Sequence, residues 1–148
     1  MSDTLTVKAS RFVSVLPHCT VLGMTVLHGD ENGVQMSLPY SEQIIGNPAS
    51  GVVAGGSLTT LMDTACGTAV FVALPGNELC PTLDLRVDYM RAARPGSDLI
   101  AQATVVRVTT SVVFTRCDVY QEINGERKEV ARCTANFMRI GKQIGGAA

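Results

Sequence analysis

The sequence predicts an α+β fold in which an antiparallel sheet wraps around one long central helix. Three observations carry that expectation. The run Ser57 to Leu74, SLTTLMDTACGTAVFVAL, is apolar or small except for Asp63 and reads as one helix. Four strand-like segments follow it, and a hairpin-like pair precedes it. A sheet of that size must cover one face. The long helix is the only candidate, because at ~1.5 Å per residue it spans roughly 25 Å, about the width of five or six strands.

Each element has its own signal. Leu5 to Leu16 places Leu5, Ala9, Phe12, Val13 and Leu16 at helical spacing, and Pro17 ends it. Val21–Leu27 and Gly33–Leu38 read as strands joined through the turn residues His28 to Gly33. Tyr40 to Gly56 reads as loop, with Gly55-Gly56 immediately before the helix. On the helix, Leu58, Leu61, Met62, Ala65, Ala69 and Val72 form one apolar stripe. Asp63 falls off it, among Thr59, Thr60, Gly67 and Val70. That face carries threonine and glycine rather than lysine and glutamate, so a second subunit is expected there, with Asp63 at the seam.

Pro75-Gly76-Asn77 stops the helix. Thr82–Arg91 alternates Leu83, Leu85, Val87 and Tyr89 against Asp84, Arg86 and Asp88, a half-buried strand. Leu99–Val108 and Ser111–Glu122 follow. Asn124-Gly125 marks a tight hairpin, Lys128–Ile140 closes the sheet, and Gly141–Ala148 reads as a frayed tail. One helix rolled in such a sheet is the hot-dog arrangement.

Composition narrows the function. The 148 residues fit a single domain over 1–148, and a 46% hydrophobic, 17% charged composition is apolar enough to suggest surface hidden in an oligomer. A net charge of −1 and the absence of tryptophan argue against nucleic acid or an anionic membrane as partner. No stretch reads as a membrane span or a signal peptide. Five cysteines with no close pair read as reduced thiols of a cytoplasmic protein.

Asp63 is the only formal charge between Glu42 and Glu78. Removing a lone carboxylate from water is costly, so a chain that keeps one there has put it to use. The first N–H groups of a helix lack internal partners and sit at the positive end of its dipole. Glycine lets a substrate oxygen approach them, so Gly55 and Gly56 make a candidate oxyanion hole. Asn47 can add an amide donor. Asp63 can attack a carbonyl or activate a water. A thioester, electrophilic and with a good leaving group, is the substrate that this kit best fits.

Other chemistries lack their residues. There is no G-x-S-x-G, and His18 and His28 lie outside the loop–helix unit. The segment Gly51 to Ser57 has no phosphate-loop lysine. The scattered histidines and cysteines form no metal site, and no cofactor is expected.

Asn47, Gly55-Gly56 and Asp63 followed by Thr64-Ala65-Cys66-Gly67 resemble the N…HGG…D-[ST]-A-x-G signature of PaaI-like hot-dog acyl-CoA thioesterases. The strand from Thr82 to Gly96, TLDLRVDYMRAARPG, resembles that family's next element, and the likeness covers most of Val21 to Ile140. The resemblance implies dimers, commonly paired into homotetramers, with active sites between subunits and acyl-CoA as substrate. It makes Asp63 the general base or nucleophile, with the Gly55 N–H and Asn47 of the facing subunit polarising the carbonyl. Thr82 matches the position of a Ser or Thr that holds the water. Gly56 and Ala54 flank the substrate, and Arg91 and Arg94 become partners for coenzyme A phosphates. The family histidine before Gly-Gly is Ala54 here, which removes side-chain help to the departing thiolate.

The expected reaction is hydrolysis of a medium-chain or aryl acyl-CoA thioester. The Ala54 departure keeps a second reading open, a non-hydrolytic acyl-CoA binding or sensing protein. A hot-dog dehydratase or hydratase is a third, weakened by the lack of a histidine paired with the carboxylate. For Asp63 itself the non-catalytic alternative is a carboxylate capping a neighbouring subunit's helix or paired with an arginine.

Overall fold

A computed structural model describes residues 2–141 of the chain. Its elements run α1 (Ser2–Ser14), α2 (Pro17–Leu22), β1 (Thr25–Asp30), β2 (Gly33–Leu38), a 3-10 turn (Glu42–Ile44), β3 (Ile45–Asn47), β4 (Val52–Val53) and α3 (Gly55–Ala73). Then come β5 (Thr82–Tyr89), β6 (Leu99–Val108), β7 (Val112–Ile123) and β8 (Glu126–Met138). Most of the expected tail, residues 142–148, lies outside the described residues.

Six strands form one antiparallel sheet in the order β1-β2-β6-β7-β8-β5. Helix α3 packs across its central strands, the hot-dog arrangement that the sequence predicts. The six residues of its apolar stripe are all buried, alongside Met36, Leu38 and Phe137 of the sheet and Ile44 of the 3-10 turn. Burial of that stripe, at about 25 cal/mol per Å² of apolar surface, is the main force holding helix to sheet. Asn124 and Gly125 adopt φ of 52° and 76°, the left-handed pair that a two-residue hairpin requires. Helix α1 lies against β1 and α3, burying Ala9 and Val13.

Three local expectations change. Val21–Leu27 is not a strand from its start. Pro17 begins the short helix α2, and Gly23, with φ of 70°, ends it by donating its N–H to the carbonyls of Cys19 and Thr20. A Pro at the first turn and a Gly just past the end is a helix pattern, and here it overrides the apolar run. The Tyr40–Gly56 segment is structured by the 3-10 turn and the β3–β4 hairpin. Strand β5 is an outer strand, and Leu83 and Tyr89 are 53% and 55% exposed because only one neighbour, β8, flanks it. A bulge between Thr82 and Asp84 throws Leu83 out of the alternation.

One polar feature locks the periphery. The Arg139 guanidinium forks onto Glu78, Nε to Oε1 at 3.0 Å and Nη2 to Oε2 at 2.9 Å. Its Nη1 donates to the Thr109 carbonyl at 3.0 Å, tying the end of β8 to two loops. That pairing holds the Glu78 carboxyl below its ordinary range. In the core, Cys117 and Cys133 oppose each other across β7 and β8, and Cys66 of α3 brings its Sγ to 3.9 Å from that of Cys133. Hydrogen bonds with Cys133 and Cys66, and burial, push the Cys117 thiol well up. All five cysteines are free thiols.

Candidate active site

The start of α3 is set by the hairpin before it. Asn47 pairs with Val52, and the Ala54 N–H donates to the Ile44 carbonyl at 2.8 Å. Gly46 is pressed against this junction. A Cβ there would lie 2.8 Å from the Ala54 Cα, so no larger residue fits without moving the helix start. Gly55 and Gly56 do not precede the helix as the sequence suggests; they are its first two residues. Their N–H groups have no carbonyl four residues back to bond, and both residues are exposed. Ala54 caps without a side-chain hydrogen bond, and its own N–H is already used.

Tyr89 of β5 closes one side. Its hydroxyl donates to the Gly55 carbonyl at 3.2 Å and stands 2.6 Å from the Thr59 Oγ1. Beside it, Gly55, Val53, Leu58, Met90 and Arg91 line a cleft of about 410 Å³.

Asp63 lies two turns further along α3, half-buried, in a neighbouring cleft of about 410 Å³. The Thr82 hydroxyl donates to Asp63 Oδ1 at 2.8 Å. His18, Thr59, Thr60, Thr64 and Leu85 complete the walls. Among the described residues Asp63 pairs with no arginine; its one side-chain partner is Thr82. A half-buried carboxylate that lines a cleft, with one oxygen held by a threonine, can accept a proton from water.

Of the expected site residues, the structure joins Asp63 to Thr82, and Gly55 to Arg91. Asn47 lines neither cleft. Its Oδ1 accepts the Ala49 N–H at 3.0 Å, and its carbonyl accepts those of Ser50 and Gly51, a turn-forming role. The Arg94 side chain lines neither cleft, but its backbone is pinned: Gln121, 1% exposed, accepts the Arg94 N–H and donates to the carbonyls of Arg94 and Ser97. Gly56 accepts a hydrogen bond from the Thr60 hydroxyl at its carbonyl.

Two residues of these clefts, and Gln121 behind Arg94, carry no signal of function in the sequence. His18, which the sequence sets outside the loop–helix unit, reaches the Asp63 cleft from α2. The Pro17…Gly23 helix pattern could have placed it on a helix, but no local signal could bring it to α3. Tyr89 read only as one of an alternating strand set, and Gln121 as an ordinary strand residue.

Comparisons with known proteins agree on one group. Residues 50–128 match the family model described as the thioesterase superfamily. The Escherichia coli medium/long-chain acyl-CoA thioesterase YigI is 27% identical over 140 residues, covering 86% of this chain and 88% of that protein. A relative from Halobacterium salinarum is 43% identical over 94 residues, 62% of this chain; the match spans only 61% of that relative's length. A crystal structure from Pseudomonas aeruginosa is 51% identical, covers 92% of this chain and 99% of its own, and superposes with a TM-score of 0.81. The E. coli PaaI protein, from the phenylacetic acid degradation operon, shares the fold at 20% identity, with a TM-score of 0.83 over 96% of this chain and 97% of its own.

Proposed function

This chain belongs to the thioesterase superfamily, as a PaaI-like hot-dog member, and we propose that it hydrolyses a medium-chain or aryl acyl-CoA thioester with Asp63 as general base. The observation that carries this is the Thr82 hydroxyl on Asp63 Oδ1 at 2.8 Å, with both residues lining one cleft. In the proposed reaction Oδ2 takes a proton from a water held against Thr82, and the hydroxide adds to the thioester carbonyl. Helix-start N–H groups of Gly55 and Gly56 stabilise the oxyanion, a contribution of about 3 kcal/mol per donor in comparable sites. Collapse breaks the C–S bond; the carboxylic acid and the coenzyme A thiol leave, the thiolate taking up the proton. The acyl-CoA thioesterase activity named for YigI supports the substrate class.

Eight residues separate Gly55 from Asp63, about 12 Å along one helix. One carbonyl cannot meet both within a subunit, so the reading requires a second copy whose helix start faces Asp63. The outer strand β5, with Leu83 and Tyr89 exposed and Met90 exposed just beyond its end, supports a homodimer, or a dimer of dimers, built across that edge. Arg91, which lines the Gly55 cleft, and Arg94 meet the coenzyme A phosphates in this proposal, and the side-chain amide of Asn47 from the facing subunit meets the thioester carbonyl. Among the described residues no helix is long and apolar enough to cross a membrane, and the unbridged cysteines support a cytoplasmic location.

Thiol release from a panel of acyl-CoAs tests the proposal. Asp63→Asn is expected to lower kcat by at least 10²-fold with the oligomer intact. Near-native turnover in that variant excludes Asp63 as the base, and tight acyl-CoA binding without turnover by the native protein would instead mark a binding or sensing role.

A further inference from the structure

The threonines that wall the Asp63 cleft are all committed. Thr59 Oγ1 meets the Tyr89 hydroxyl at 2.6 Å, the Thr60 hydroxyl donates to the Gly56 carbonyl at 2.9 Å, and the Thr82 hydroxyl donates to Asp63 at 2.8 Å. The Thr64 side chain is hydrogen-bonded with the Cys19 thiol. Leu85 offers no polar atom. That leaves His18, which lines the same cleft and whose ring has no hydrogen-bond partner among the described residues. The other histidine, His28, stands 3.2 Å from Asp30 on β1 and lines neither cleft.

The fold fixes where His18 stands. Pro17 starts α2 and Gly23 ends it, so the residue is held on a helix rather than a loop. Its neighbour Cys19 is 2% exposed, and the Cys19 carbonyl accepts the Met24 N–H at 2.9 Å. Thr64 follows Asp63 directly on α3, just as Cys19 follows His18 on α2. The bond between Cys19 and Thr64 therefore brings the two preceding residues, His18 and Asp63, onto the walls of one cleft.

Hydrolysis of a thioester asks for a proton acceptor at the water and a proton donor at the sulfur. Asp63 and His18 are the titratable side chains lining this cleft. In the Gly55 cleft, Arg91 holds its protons at any ordinary pH, and the Tyr89 hydroxyl already donates to the Gly55 carbonyl. Histidine is the side chain that gives and takes a proton near neutrality. We propose that His18 is a catalytic residue, its imidazolium protonating the thioester sulfur as the C–S bond breaks. Asp63 takes one proton from water, the hydroxide oxygen bonds to the carbonyl carbon, and the C–S electron pair passes to sulfur, which takes the imidazolium proton. The Asp63 carboxylic acid then reprotonates the imidazole. One water is consumed, the acid and the thiol are released, and both side chains return to their starting states. This rests on the thioesterase reading of Asp63 and deepens it by naming the acid.

The test compares one acyl group, the best substrate of the panel, as its thioester of coenzyme A, of N-acetylcysteamine and of 4-nitrothiophenol. An aliphatic thiol is a weak acid and gains most from a proton delivered as the bond breaks, whereas 4-nitrothiophenol leaves readily as the thiolate. His18→Gln should lose about 10²-fold in kcat on the two aliphatic esters and less than threefold on the nitrophenyl one. His18→Ala should show the same split, and added imidazole should restore at least tenfold of the loss on the aliphatic esters. Asp63→Asn should fall on all three alike. Equal losses on all three esters in the His18 variants, without imidazole rescue, would mark a structural role, and undiminished turnover would place His18 outside the reaction; either result overturns the proposal. A native protein inert on all three overturns it together with the hydrolase reading. The leaving-group split alongside near-native turnover in Asp63→Asn would uphold the acid and remove only Asp63 as base; a uniform fall in Asp63→Asn with no split in the His18 variants would do the reverse.

Discussion

Asp63 and Thr82 are nineteen positions apart in the chain and 2.8 Å apart at their oxygens, and that pair is the smallest unit of the proposed chemistry. The carboxylate was legible because it stands alone in an apolar run. Thr82 was legible only through family likeness, since a threonine opening a strand has no local mark of function. Tyr89 and His18 were illegible for a plainer reason: each meets α3 from another element, and no spacing along the chain encodes that meeting. Replacing the threonine by its isostere isolates its effect. Thr82→Val should reduce kcat about tenfold while KM changes little, because it removes one hydrogen bond, about 1 kcal/mol or somewhat more to a charged acceptor, and hardly alters shape. Steady-state kinetics on one acyl-CoA checks this, and an unchanged kcat would show that Thr82 does not tune the carboxylate.

At the scale of elements, long periodic segments were readable and short irregular ones were not. The apolar stripe fixed α3, and Asn124-Gly125 fixed the β7–β8 hairpin, because each follows from a repeated or conformationally demanding pattern. The β3–β4 hairpin was missed; its strands of three and two residues are too short to show alternation. Yet that hairpin decides where α3 begins, through Gly46 against Ala54 and the Ala54 N–H on Ile44. Gly46→Ala should therefore cost stability, about 1–3 kcal/mol as an overpacking change, and should displace the glycine N–H pair. Thermal melts combined with thiol-release assays check it: activity should fall further than the lost stability explains at a temperature where the variant remains folded.

For the whole molecule, the sheet order puts β1 and β5 at the edges, and this also lay beyond the sequence, where β5 read as half-buried. The closing contact is long-range as well. Arg139 gathers the Glu78 loop and the Thr109 turn onto the end of β8. Since the guanidinium lowers the Glu78 carboxyl below its unfolded value, the pair stabilises the fold above the ordinary carboxylate range. That contribution fades as pH falls through the depressed value. Glu78→Gln should thus be less stable than the native protein at neutral pH, with the gap narrowing in acid. Denaturant midpoints across pH 7 to 3, a span of roughly four proton-concentration decades, check the convergence; a constant gap would mean that the charge contributes nothing.

The three sulfurs clustered between α3, β7 and β8 have an experimental use. Cys66, Cys117 and Cys133 are sealed at 0%, 1% and 3% exposure, so an alkylating reagent reaches them only when the helix lifts from the sheet. Pulse labelling read by mass spectrometry would then time that opening from inside the protein. Cys80, half-buried at the rim, should react ahead of them and serve as the internal reference.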